Sequence, residues 1–202
     1  MNENTLKNSY TREQICEILR LDLITGKFSH NQPLRESALA KRFNVSRGPI
    51  RDVFLRLTQE GSLVYEPNRG VRVHSAIADK EREVMMKMRL HLECYCIDQY
   101  INESSSQDHA KLKLLLQQFK NSCLRESLPD VAQSDLSLHR HWVSRASTNL
   151  EPIWLGLAVR ILMKYSRLAS FEESIKEHEQ IVEAILLKNV KSAIDALSLN
   201  LI

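Results

Sequence analysis

The sequence predicts a mainly α protein, with an N-terminal winged helix-turn-helix followed by an all-helical bundle. Three observations predict it. A single residue, Val45, separates two stretches of helical pattern near residue 44. Four of the five glycines lie at or before Gly70, leaving only Gly156 beyond it. Past about residue 75 the apolar residues recur at spacings of three and four, the period of a helix with one buried face.

Taken in order, residues 1 to 8 are polar and are expected to be disordered. Thr11-Arg12-Glu13-Gln14 is a capping box, and Ile15, Ile18, Leu19 and Leu23 then form one helical stripe that Gly26 ends. The next helix carries Leu39, Ala40 and Phe43, with Asn44 suited to the left-handed residue that closes it. Ser46 is an N-cap residue, and Pro49 falls in the first turn, where its missing N–H costs no helix bond. Ile50, Val53, Phe54 and Leu57 give that helix an apolar face, and Gly61 stops it. Arg47 and Arg51, four apart, share another face. Leu63 to Tyr65 and Val71 to Val73 flank Glu66-Pro67-Asn68-Arg69-Gly70, which predicts a hairpin with a basic tip. Residues 9 to 74 therefore form one unit, 75 to 80 a linker and 81 to 202 a second unit.

In that second unit Met88, Leu92 and Cys96 keep helical spacing over residues 78 to 102, and Ser104 to Ser106 break it. Residues 107 to 124 carry Leu112, Leu115, Leu116 and Phe119. Pro129 begins a helix that runs to about Ala146, and Asn149 is expected to cap the next, with Pro152 in its first turn. Ile153, Trp154, Leu157, Ala158, Ile161, Leu162 and Tyr165 predict a wide buried face there. Ser170 to Glu173 reads as a capping box before Ile175, Val182, Ile185 and Leu186, and Val190 to Leu201 forms a last helix. Six helices with short joints predict a bundle.

The chain has 202 residues, 43% of them hydrophobic, enough for real cores, and a net charge of +3. Residues 1 to 74 hold 12 Lys/Arg against 8 Asp/Glu, while the remainder holds 16 against 17. The basic excess thus sits with the predicted helix-turn-helix, as expected of a DNA reader. No apolar run approaches the ~20 residues of a membrane span, and the first residues show no signal pattern, so a cytoplasmic protein is expected. Cys16, Cys94, Cys96 and Cys123 lack metal-ligand spacing and read as small buried hydrophobes in a reducing compartment. Asp135 and His139, four apart on one helix face, could join His178 in holding Zn²⁺ or another divalent transition metal. Spacing alone favours a helical Asp–His pair and an exposed histidine over a metal site.

Leu39-Ala40, Val45-Ser46-Arg47-Gly48-Pro49-Ile50-Arg51-Asp52, Glu60-Gly61 and Arg69-Gly70-Val71-Arg72-Val73 resemble the winged helix-turn-helix signature of the GntR transcription regulators. The second half resembles the helical effector domain of their FadR-type branch, the FCD domain. The residues that carry this are Arg89 and Glu93, then Asp135 and His139 with Ala146-Ser147-Thr148-Asn149, then Glu177-His178. The resemblance covers roughly residues 10 to 202.

It implies that Arg47 and Arg51 contact bases and phosphates, that Ser46 meets a phosphate at the helix N-terminus, and that Arg69-Gly70 form the wing tip. A guanidinium can fork onto the two acceptors of guanine, and helix N–H groups suit a phosphate. Ser37 stands where many relatives carry an arginine, with Arg35 two residues earlier, and Gly48 stands at a common threonine, which removes a side chain from the reading surface. In the second domain the resemblance implies a third metal-binding histidine where this chain has Asn200, an amide that is a poor ligand for such an ion. It also implies that Arg89 meets a small organic acid. The expected protein is a homodimeric repressor, not an enzyme, that binds an inverted-repeat operator and responds to that acid. Two other readings stand beside it: a metal-dependent hydrolase built on Asp135, His139 and His178, and a degenerate regulator without an effector.

Overall fold

The computed structural model describes residues 10–163 and 170–201, which divide into two compact units at Ser75 and Ala76. The expectation of disorder for residues 1 to 8 and the placement of Tyr165 fall outside the described residues. The first unit contains α1 (Arg12–Ile24), α2 (Glu36–Phe43), α3 (Arg47–Gln59), β1 (Leu63–Glu66) and β2 (Gly70–Val73). The Thr11 side chain accepts from the Gln14 N–H while the Gln14 side chain accepts from the Thr11 N–H, so the predicted capping box starts α1. Asn44 ends α2 in the left-handed region, at φ 52° and ψ 46°, and lets the chain turn directly into α3. Ile50, Val53, Phe54 and Leu57 are buried with Ile15, Leu19, Leu23, Leu39 and Phe43, and together form this unit's core. β1 and β2 pair antiparallel from Leu63 opposite Val73 to Glu66 opposite Gly70. Their turn uses left-handed Asn68 and Gly70, the latter at φ +79°.

Arg20 and Asp22 are charged residues buried in this unit, Arg20 the more deeply. Arg20 is 1% exposed, yet its Nε and Nη2 donate to the two oxygens of Glu60, at 2.8 and 2.6 Å. Glu60 also accepts from Arg56 Nε. The bidentate pair ties the middle of α1 to the end of α3. Burial alone lowers the affinity of the Arg20 guanidinium for its proton, but Glu60 more than reverses this.

The second unit contains α4 (Asp79–Glu103), α5 (Ser106–Leu124), α6 (Leu128–Ala146), α7 (Glu151–Leu162), α8 (Phe171–Leu186) and α9 (Val190–Leu201). Trp142, Trp154, Tyr100, Phe119, Ile97 and Leu197 lie in its core. Four details depart from the sequence reading. Met88 is 49% exposed, and the buried face of α4 begins instead with Arg89 and Glu93, so polar residues occupy part of the stripe that apolar spacing traces. α7 is apolar nearly all round: Leu155 and Val159 are buried while Ile153 is 56% exposed and Leu157 only partly covered. Asn149 does not cap α7. Leu150 holds the cap position, and Ser147 accepts from the N–H groups of Leu150 through Oγ and of Glu151 through its carbonyl. Finally, Ser170 accepts from the Glu173 N–H at 3.2 Å, but among the described contacts the return bond of a full capping box is not made. No described helix is long and apolar enough to cross a membrane. The four cysteines are free, and burial pushes the thiols of Cys16, Cys96 and Cys123 up to about 11.

Candidate functional site

In the first unit the chemistry is on α3. Its apolar face is committed to the core, which leaves Arg47 and Arg51 exposed on the opposite side. Arg51 Nε donates to Glu36 Oε2 at 2.8 Å, which fixes one edge of its guanidinium against the first turn of α2. Ser46 is the N-cap residue, but its side chain makes no capping bond, and α3 has no acidic residue in its first turn. The positive end of the helix dipole is therefore left open to an anion. Gly48 is exposed, and a Cβ there would meet only the Ser46 hydroxyl, at 3.9 Å. Arg35 is exposed at the start of α2, and Arg69 projects from the wing with its side chain 74% exposed, 3.6 Å from Glu66. The structure thus presents Arg35, Arg47, Arg51 and Arg69 to solvent, as a DNA-contacting surface requires.

In the second unit Asp135 and His139 project from α6 and meet His178 of α8. One ligand atom from each lies within 4.8 Å of the others. His139 Nε2 and His178 Nε2 stand 3.2 Å apart, and Asp135 Oδ1 lies 3.0 Å from the His178 nitrogen and 3.8 Å from the His139 nitrogen. His178 is 1% exposed and His139 is fully buried, so the reading of His178 as a surface histidine is wrong. α8 turns it inward on the same face as Ile181, Val182 and Ile185.

The other side of each ring explains what this cluster can do. His139 Nδ1 lies 2.7 Å from Glu93 Oε2, and His178 Nδ1 lies 2.7 Å from the Ser174 carbonyl. A carboxylate and a carbonyl only accept, so both rings carry their hydrogen on Nδ1. In neutral rings both Nε2 atoms then present lone pairs to one another and to the Asp135 carboxylate. Three acceptors converging in a buried space need either a proton on one ring nitrogen or a metal ion between them. Nitrogens bound to one ion at ~2.0–2.1 Å and a tetrahedral angle stand ~3.3 Å apart, so the present spacing fits a metal. Burial raises the Asp135 carboxyl, but His139 and His178 overcome this and hold it well below the usual carboxylate range.

Glu93 is the organising residue of this region, although the sequence shows it only as the partner of Arg89. It is fully buried and accepts from Arg89 Nε at 2.8 Å, Trp154 Nε1 at 2.7 Å, Trp142 Nε1 at 3.2 Å and His139 Nδ1. Burial pushes its carboxyl up, but His139, Arg89 and the bonds it accepts bring it down to about 2. Trp154 reads in the sequence as core and Trp142 draws no reading of its own, and the N–H groups of neither carry a local signal of this role.

A cavity of about 330 Å³ opens beside the cluster, lined by Asp135, His178 and Arg89 and on its apolar side by Phe119, Val131 and Ile161. Arg89 is 3% exposed, lies over the Trp154 ring, and has one terminal nitrogen, Nη2, buried with no partner among the described residues. Asn200 also lines the cavity, and its Nδ2 donates to Glu177 Oε2 at 2.9 Å.

Comparison with known proteins places both units. Residues 11–73 match the model of the bacterial regulatory proteins of the gntR family, and residues 84–201 match the FCD domain. The HTH-type transcriptional repressor RspR of Escherichia coli K12 is 28% identical over 128 residues, which span 63% of this chain and 56% of that protein. The gluconate operon transcriptional repressor of Bacillus subtilis is 23% identical over 208 residues, covering 96% of this chain and 84% of its own length. Among solved structures, E. coli McbR/YncC superposes with a TM-score of 0.80 at 18% identity, over 94% of this chain and 92% of that one.

Proposed function

Because this chain belongs to the GntR family of bacterial regulatory proteins and carries an FCD domain, we propose that it is a DNA-binding transcriptional repressor controlled by a small organic acid. The observation that carries the reading is the exposed pair Arg47 and Arg51 on a recognition helix whose N-terminus is open to phosphate. In this reading the two guanidiniums read base edges in the major groove, Ser46 and the first N–H groups of α3 hold a phosphate, and Arg69 and Gly70 enter beside them. Arg35 takes a phosphate contact from the start of α2, and Gly48 lets the backbone approach closely. Repression is supported by the names of the relatives from E. coli and B. subtilis.

Asp135, His139 and His178 hold a divalent transition ion, zinc or similar. When bound, the ion supplies a Lewis-acid point for a ligand's carboxylate. Arg89 turns its unpartnered nitrogen to the same acid, and Glu93 keeps both Arg89 and His139 in orientation. The operator is an inverted repeat read by a homodimer, for which the exposed stripe Val84, Met88 and Tyr95 on α4 offers an apolar surface.

Selection of bound sequences from a random duplex pool tests the reading. The full chain is expected to enrich a short palindrome. Arg47→Ala and Arg51→Ala should each weaken binding to it by about 1–3 kcal/mol and relax the preference at one position of each half-site. A pool that stays random, or variants that bind as the parent does at fixed salt, would remove the proposal.

A further inference from the structure

The cavity of the second unit has an unequal wall. At one place the buried Nη2 of Arg89 lacks a partner, and Arg82 lies on the same lining. Elsewhere the lining is rich in acceptors: Asp135, Glu173 and Glu177 are carboxylates, and Asn200 gives one amide N–H to Glu177 Oε2 and keeps its carbonyl oxygen and a second N–H. Asp135 is taken up by His139 and His178, so Glu173 and Glu177 are the lining carboxylates left to meet a ligand, and Arg89 is already paired with Glu93. A ligand with one carboxylate satisfies Arg89. Beside Glu173 and Glu177 a second carboxylate would meet repulsion, and a bare methyl end would leave their oxygens stripped of water without donors in exchange.

We propose that the acid recognised here carries hydrogen-bond donors, hydroxyl or ammonium groups, away from its single carboxylate, and that Glu177 and Asn200 select for them. The inference rests on reading the cavity as an acid-binding effector site. The volume, about 330 Å³, is at the small end for ligand pockets and suits a metabolite of a few carbons. Glu177 and Asn200 come from different helices, α8 and α9, and their mutual bond holds both acceptors in place before a ligand arrives. Such an acceptor wall rejects an analogue lacking the donor because the desolvated oxygens are left unpaired.

The test is calorimetric titration of the full chain with matched four- and six-carbon acids ending in methyl, hydroxymethyl, ammoniomethyl or a second carboxylate. At least one donor-ended acid is expected to bind about tenfold or more tightly than its methyl and dicarboxylate counterparts. Glu177→Gln, checked for folding by circular dichroism, should cut that preference to about threefold or less. Which donor wins separates hydroxy acids from amino acids, and either supports the proposal. Equal or tighter binding of the methyl or dicarboxylate members overturns it, as does a preference unchanged in Glu177→Gln or no binding by any member. If methyl-ended acids bind and Arg89→Ala abolishes that binding, the acid site stands and only the donor selectivity falls. The regulator reading is judged separately, by the DNA selection.

Discussion

The lone pairs of His139 and His178 set the most demanding requirement in the molecule. With both Nδ1 hydrogens given to Glu93 and Ser174, the two Nε2 atoms at 3.2 Å repel unless a cation lies between them. Protein purified without chelator is expected to carry about one divalent ion per chain by elemental analysis. His139→Ala should abolish it, and Glu93→Gln, which frees the ring without removing a ligand, should weaken it about 10–100-fold. A metal content near zero in the parent would assign the cluster to a protonated histidine instead. At the same scale, Arg20 in the first unit is sealed by Glu60. Removing the carboxylate leaves a buried, uncompensated charge, so Glu60→Leu should cost about 3–5 kcal/mol in urea unfolding of the chain. A loss under 1 kcal/mol would mean that Glu17, 2.9 Å from Arg20 Nη1, takes over the partnership.

Among the elements, α5 shows how a helix start depends on a few polar atoms. Ser105 Oγ accepts from the Asp108 N–H, and Asp108 Oδ2 accepts from the Ser105 N–H and hydroxyl and from Arg145 Nε of α6. These bonds, led by that from the Ser105 N–H, hold the Asp108 carboxyl down at about 2 against a usual 3.8. A carboxyl depressed in the folded state stabilises it fully above its unfolded value, and the contribution fades as pH falls from about 4 to 2. Ser105→Ala should lower stability by about 1 kcal/mol at neutral pH. Asp108→Asn should flatten the acid limb of the stability profile between those pH values. An unchanged acid limb would exclude the α5 start as its source. The start of α5 is also an element whose legibility was partial: the serine break before it is plain in the sequence, but its partner Arg145 is 37 residues away and carries no local mark. Capping and stripes within one helix were readable for α1, α2 and α3 because their signals are local. α4 and α7 were misjudged for opposite reasons. α4 buries a charged pair that breaks its apolar stripe, and α7 is apolar on almost every side, so spacing does not choose a face. The candidate site follows the same rule. Asp135 and His139 share a turn of α6, whereas Glu93, Trp154 and Glu177 join them only through packing between helices.

For the whole molecule, the basic excess of residues 1 to 74 and the cavity of residues 82 to 201 belong to different compact units, so control of one by the other is a thermodynamic coupling between two sites. Coupling of this kind is reciprocal. If an acid bound beside Arg89 weakens operator affinity by some factor, saturating operator must weaken affinity for that acid by the same factor. Typical couplings of about 1–3 kcal/mol correspond to roughly 5–150-fold, well within the reach of paired titrations at one salt concentration. Salt must be fixed, because arginine contacts to phosphate make duplex affinity fall steeply with ionic strength, whereas an acid bound in a partly enclosed cavity is less exposed to screening. The expected result is therefore two equal factors measured from opposite directions, both lost in Arg89→Ala, while that variant keeps the parent's operator affinity in the absence of acid. Unequal factors at equilibrium would show that the acid also acts somewhere other than this cavity. Equal factors that survive Arg89→Ala would place the controlling site away from the buried Arg89 Nη2, which has no partner among the described residues.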